Sequence, residues 1–197
     1  MRRILLLLIA VISVNMASAQ TLQDIFKGAV TNIVDSVTDG KATEYMLPGT
    51  WNYTSPAIRL SSDSEILSNV ASATLTSGLE SKLVKAYSLV GFKSGASSFT
   101  FKEDNTFTAV IGKRTLSGTY TYDSATHRLS MTFSTLLKLG NLNGYAYING
   151  ESLELVFDCS RVMDLLVSLG SKMSSLKGIT SIAGQFDSMM VGFEYNK

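Results

Sequence analysis

Apolar and polar residues follow two different rhythms along this chain. Between Ser97 and Phe157 they alternate with a period of two, the mark of half-buried strands. Before and after that stretch, apolar residues return at three- and four-residue steps, the mark of amphipathic helices. Thr21 to Val37 carries Leu22, Ile25, Phe26, Ala29 and Ile33 on one stripe and predicts a first helix, ended by Asp39-Gly40 and followed by a linker. Alternation then starts at Trp51 and Tyr53, which predicts a first strand stopped or bent near Pro56. Ser62-Asp63-Ser64-Glu65 has the form of a capping box. It predicts a helix to about Leu89, stopped by Gly91 and divided at Gly78.

The alternating region predicts a meander. Phe99 and Phe101 share one face, as do Phe107, Ala109 and Ile111 in the next strand. Leu116, Gly118, Tyr120 and Tyr122 follow, and then Leu129, Met131 and Phe133. A strand from Gly144 to Ile148 meets Asn149-Gly150, a strong two-residue hairpin signal in which both central residues take positive φ. That turn sets Ile148 opposite Glu151 and Ala146 opposite Leu153, and it points Tyr145 and Tyr147 outward. Helical spacing returns over Ser160–Met173 and Leu176–Phe186, and Met189 to Tyr195 alternates again as a last strand.

The pattern therefore predicts a mainly β chain with helical insertions (α+β). Its core is an eight-stranded antiparallel up-and-down barrel, closed by the last strand pairing with the first. It carries an N-terminal helix, a helix insert between strands one and two, and helices before the last strand. An open sheet packed on the helices is the alternative. An outer-membrane barrel needs longer strands with outward apolar bands, and helices interrupt this meander twice. The inward aromatic and apolar residues are the candidate lining of a pocket, with Tyr53, Phe101, Tyr120, Tyr122, Met131, Phe157 and Phe193 as the proposed ligand-binding set. Gly118 and Gly144 on the same faces would leave room for a ligand, although an eight-stranded barrel can equally be filled by its own side chains.

The first 19 residues change the picture of where the protein works. Arg2-Arg3, the apolar run Ile4–Ile12 and Ala17-Ser18-Ala19 form a secretory signal peptide cleaved after Ala19. The domain order is then 1–19 signal peptide, 20–46 helix and linker, and 47–197 barrel. The run is too short to span a bilayer, and no Cys follows the cleavage point, so neither a membrane span nor a lipoprotein is expected. A secreted chain with a single Cys suits a periplasm. Removing 19 of 197 residues leaves 178, among them 25 Ser and 18 Thr, with 15 basic against 16 acidic side chains. That balance excludes a strongly basic nucleic-acid binder. One Cys and one His exclude internal disulfides and multi-ligand Cys/His metal sites, and no metal or other cofactor is expected.

One set of positions is more specific than the periodicity. Leu47 to Tyr53, with Gly49-Thr50-Trp51 at the head of strand one, is joined by Phe99-Thr100-Phe101 to Phe107, Leu116 to Tyr120, and Met190 to Glu194. Together they resemble an uncharacterised lipocalin-like (calycin-type) family of secreted proteins from Gram-negative gut bacteria, over nearly all of the mature chain. The resemblance implies the barrel fold and supplies no reaction. It implies structural roles for Gly49 and Trp51, with Trp51 packed across the closed end. It also implies a basic residue near the last strand lying over that Trp, and Lys197 is the only basic residue after Lys177.

Candidate chemistry is sparse. His127 lies close to Asp123, but no nucleophile elbow accompanies them. Asp158-Cys159-Ser160 reads as a helix cap with a packed thiol, and Glu103-Asp104-Asn105 as a hairpin turn without calcium-loop spacing. No catalytic residue is assigned. Two functions remain: a carrier for a small apolar or amphipathic molecule, or a ligand-free interaction or envelope-structural module using outward Tyr145 and Tyr147. An enzyme would require Glu194, Asp158 or His127 to converge inside the barrel, and the alternation puts Glu194 on the opposite side from Phe193.

Overall fold

The computed structural model describes residues 40–61, 71–136 and 139–197. Eight strands form a closed antiparallel barrel in simple sequence order. They are β1 (Gly49–Ser61), β2 (Ser97–Phe101), β3 (Thr106–Ile111), β4 (Arg114–Asp123), β5 (Arg128–Phe133), β6 (Asn141–Asn149), β7 (Ser152–Asp158) and β8 (Ser188–Asn196). The helices are α1 (Lys41–Met46), α2 (Ala71–Val90), α3 (Cys159–Ser168) and α4 (Met173–Ala183). The expected helix over 21–37 and the capping box at 62–65 lie outside the described residues.

The alternation that predicted the meander also sets its burial. In β4 the inward Leu116, Gly118 and Tyr120 are buried, between exposed Thr115, Ser117 and Thr119. Closure comes from β1 pairing with β2 over Gly49–Asn52 and with β8 over Asn52–Ser61. A bulge between Tyr53 and Ser55 re-aims the strand there. β1 runs on through Pro56 instead of stopping, because beyond Asn52 it pairs with β8 alone, and a free edge tolerates a residue with no N–H.

Three other expectations need correction. Residues 41–46 form α1 rather than a linker. Ala42 and Thr43 are buried, and the Ile148 N–H donates to Thr43 Oγ1 at 3.2 Å, so α1 seals the edge that β6 leaves beyond β5. Gly78 does not divide α2: nothing lies within 4 Å of where its side chain would be, so the helix simply passes through solvent there. The β6–β7 register is displaced by two residues, with Ile148 facing Leu153 and Ala146 facing Leu155. Asn149 pairs with Ser152 at the end of the ladder, and the turn residues are Gly150 and Glu151. Gly150 has φ 67° and stands where a type II′ turn wants glycine. A slip of two keeps the parity, so Tyr145 and Tyr147 still point outward, as half-exposed residues.

The chain reversals separate two ends. At the turn end lie Gly49, the hairpin turns near Asp104, Thr126 and Gly150, and the C-terminus. At the other end lie α2, α3 and α4 with the β3–β4 turn. The helical end is tied to the barrel by aromatic packing. Tyr87 of α2 stacks on Phe193 at 4.8 Å between centroids, and Phe92 stacks on the same ring at 4.5 Å. Helix α2 stops in a Schellman arrangement, with Phe92 N–H bonded to the Tyr87 carbonyl and Gly91 N–H to that of Ser88.

Candidate functional site

Every proposed lining residue lies on the inward face. Tyr53, Phe101, Tyr120, Met131, Phe157 and Phe193 are buried, and Tyr122 is half-buried near the turn end. Four of them pack as two ring pairs. Phe101 stands edge-on to Tyr120 at 5.0 Å, and Tyr53 edge-on to Phe193 at 6.3 Å. Two of the tyrosine hydroxyls hold the turn end together. Tyr120 donates to the Lys102 carbonyl at 2.8 Å, and the Tyr122 hydroxyl lies 3.1 Å from His127 Nδ1.

Gly118 and Gly144 do not leave the expected room. A Cβ on Gly118 would lie 2.7 Å from the Phe107 ring, and one on Gly144 would lie 2.3 Å from that of Phe157. The neighbouring rings already occupy the space that the glycines open.

Among the described residues, Tyr53, Tyr87 and Tyr195 bring hydroxyls into the barrel. Tyr87 donates to the Gly192 carbonyl at 3.1 Å. The Tyr195 hydroxyl is fully buried and has no hydrogen-bond partner among the described residues. Its ring touches those of Tyr53 and Phe99 at 5.9 and 5.7 Å. Burial, then the neighbouring Tyr53, holds the Tyr195 phenol well above its ordinary range, and burial, then Glu194, does the same for Tyr53.

The turn end is built around Gly49, Trp51 and Lys197. Gly49 takes φ 132°, a conformation that favours glycine. Trp51 is fully buried and its Nε1 donates to the Leu47 carbonyl at 2.8 Å. Lys197 lies over the Trp51 ring at 4.5 Å and donates from Nζ to the Met46 carbonyl at 2.9 Å, so it is the basic partner of that ring.

The remaining candidate groups stay apart. Asp123 accepts from Ala125 N–H and Thr126 Oγ1 within its own turn. Asp104 is held below its usual range chiefly by the hydroxyl of Thr106. Asp158 caps α3 through Ser160 N–H at 2.9 Å, and the Cys159 thiol, buried beside it, is pushed up to about 11 by burial and then by Asp158. Glu194 points outward to Ser55 Oγ at 2.7 Å. Among the described residues no group of His, Cys, Asp and Glu is placed to hold a metal.

A concavity that the alternation could not show lies at the helical end. The end of α2, the β3–β4 turn and the end of α3 flank a shallow, open groove of about 320 Å³. Leu89, Val90, Ile111 and Leu169 supply apolar surface, and Lys93, Lys113 and Arg114 stand around it. The guanidinium of Arg114 donates to the Leu169 carbonyl, which fastens α3 to the β3–β4 hairpin. A Cβ on Gly91 would lie 3.1 Å from Gly112 Cα, so the two glycines let these backbones pass close at the other wall.

These features, the closed eight-stranded barrel and the Trp51–Lys197 closure, accompany a direct match. Residues 22–197 match the family described as "Lipocalin-like domain (DUF4923)". The chain belongs to this lipocalin-like family. The DUF4923 description marks a domain of unknown function, so membership gives the fold, one compatible with holding a small ligand, and no specific activity. Among solved structures, a DUF4847 family protein from Bacteroides vulgatus ATCC 8482 aligns with a TM-score of 0.37 at 12% identity. The alignment covers 78% of this chain and 94% of that one. The comparison with curated proteins returned no match.

Proposed function

We propose that this lipocalin-like protein is a secreted, periplasmic carrier for one small amphipathic molecule, and that the molecule sits in the groove at the helical end. The groove is the observation that carries this reading. Its volume falls at the lower end of the usual small-ligand range of roughly 300–1,000 Å³. Its floor is apolar and its rim cationic, which fits an acyl or aryl body with an anionic head. The barrel axis is a poorer host, because rings from β1, β2, β3, β4, β5 and β8 pack against each other along it. The signal-peptide pattern at 1–19 supports export.

Calorimetric titration with dodecanoate, against dodecylamine as the charge control, tests the site. One equivalent of dodecanoate should bind, dodecylamine should not, and Lys93→Glu/Lys113→Glu should abolish binding while circular dichroism stays unchanged. Absence of heat and of any thermal shift with dodecanoate would overturn the reading. Intact-mass measurement of a periplasmic extract checks export, with loss of residues 1–19 expected.

A second reading, an interaction module without a ligand, draws on the outer face of β6. Tyr145 and Tyr147 lie 6.3 Å apart there with their rings 15° from parallel. Arg59 covers Tyr147 at 4.0 Å and pairs with Glu154, so the patch is already partly engaged by the chain itself.

A further inference from the structure

The near-zero net charge conceals an uneven distribution. Lys82, Lys85, Lys93, Lys113, Lys172 and Lys177 all lie at the helical end, all are exposed, and among the described residues none of their ammonium groups is in an ion pair or hydrogen bond. The described carboxylates at that end are Glu80, Asp158, Asp164 and Asp187, and Asp164 is paired with Arg161. The opposite end mixes both signs: Glu44, Glu103, Asp104, Asp123 and Glu151 stand there with Lys41, Lys102, Arg128 and Lys197.

Apolar exposure is segregated in the same way. The exposed large hydrophobic side chains among the described residues are Leu89 (68%), Met173 (57%), Val84 (47%), Val110 and Val167. They lie on α2, the start of α4, the last turn of α3 and the end of β3 beside the β3–β4 turn. Helix α2 buries Leu79, Leu83, Ala86, Tyr87 and Val90, while Lys82, Lys85 and Leu89 share another stripe at helical spacing.

We infer that the helical end is a docking face for an anionic lipid surface. Lysines drawn to acidic headgroups and a few large apolar side chains among them are the two terms that hold a peripheral protein on such a surface. The opposite end, where both signs are mixed, then faces away. No described helix is long and apolar enough to cross a membrane, so this is attachment at the surface by the barrel's helical end. The inference goes beyond ligand binding and stands whether or not the groove is occupied. If both hold, the groove opens toward the lipid.

Co-sedimentation of the mature protein with phosphatidylcholine vesicles and with mixed phosphatidylcholine–phosphatidylglycerol vesicles tests it. Binding should need the anionic lipid and fall as salt is raised, since exposed charges are screened beyond about 10 Å at 0.1 M salt. Lys85→Gln/Lys172→Gln, neither of which lines the groove, should weaken partition by about thirtyfold, and Met173→Ser should weaken it further. Lys41→Gln/Lys102→Gln, at the opposite end, should bind as wild type. Equal binding to neutral vesicles, no binding to either, or an unaffected Lys85/Lys172 variant would overturn the inference. The latter result would leave the dodecanoate titration untouched, so the two readings fail separately.

Discussion

Tyr195→Phe removes one oxygen from the most buried part of the barrel and should stabilise the protein. The Tyr195 hydroxyl is fully buried with no partner among the described residues, inside a shell made by the Tyr53, Phe99 and Phe193 rings. A buried hydroxyl without a hydrogen bond costs about 1–3 kcal/mol relative to water. The hole left by the oxygen is no larger than a methyl group and costs about 1 kcal/mol at most. The difference is a gain of roughly 1 kcal/mol. Tyr87→Phe is the matched control. Its hydroxyl donates to the Gly192 carbonyl at 3.1 Å, so its removal strands an acceptor and should cost about 1–3 kcal/mol. Equilibrium urea unfolding followed by Trp51, the single and fully buried tryptophan, reads both. With an m-value of about 2 kcal/mol/M, Tyr195→Phe should raise the midpoint by roughly 0.5 M and Tyr87→Phe should lower it by as much or more. If the two substitutions destabilise alike, the Tyr195 hydroxyl is hydrogen-bonded in the folded protein and the reasoning from an unpartnered buried hydroxyl fails.

Gly192→Ala should unfold or severely destabilise the chain, by about 3 kcal/mol or more, because its Cβ would lie 1.8 Å from the Leu155 carbonyl oxygen and 2.8 Å from Val156 Cα, both backbone atoms. Soluble expression and a urea midpoint check it. Lys197→Ala should lower stability by about 1 kcal/mol and change the Trp51 emission, since it removes both the cation over the ring and the donor to Met46. Stability should fall as pH rises above about 9, seen in thermal melts. Cys159 titrates near 9.0 when unfolded and is pushed up to about 11 in the fold, so the stability its burial confers is complete below 9 and lost as pH climbs to about 11. Tyr53, Tyr87 and Tyr195, also raised by burial, extend the loss above pH 10, and Cys159→Ala should remove the earliest part of it.

The barrel was legible because its strands obey one rule throughout. From Leu116 on in β4, and throughout β5, every inward position is apolar or glycine and nearly every outward one Ser or Thr, so face and order followed from the period alone. Parity also explains why the β6–β7 register was misplaced by two residues without turning Tyr145 inward. A helix of six residues such as α1 is too short for a periodic signal, and its burial depends on β6, which is distant in sequence. The same limit hid the packing of Phe107 over Gly118. A glycine read along one strand promises space, but the neighbouring strand decides what fills it.

The groove and the lysine-rich face escaped the sequence for a related reason. The groove lining comes from 88–96, 111–114 and Leu169, three segments that have no common pattern and meet only because β2 to β7 carry the chain up and down between them. Net charge was the wrong quantity for this chain. A balance of 17 basic against 16 acidic residues excludes steering by overall charge but says nothing of a dipole between two ends. An up-and-down barrel sends successive turns to opposite ends, so charges that alternate along the sequence become sorted in space. Lys113 in one reversal and Asp123 at the next are ten positions apart in the chain and lie at opposite ends of the molecule. In a meander, the charge of alternate turns is therefore the sequence quantity that forecasts a polar axis.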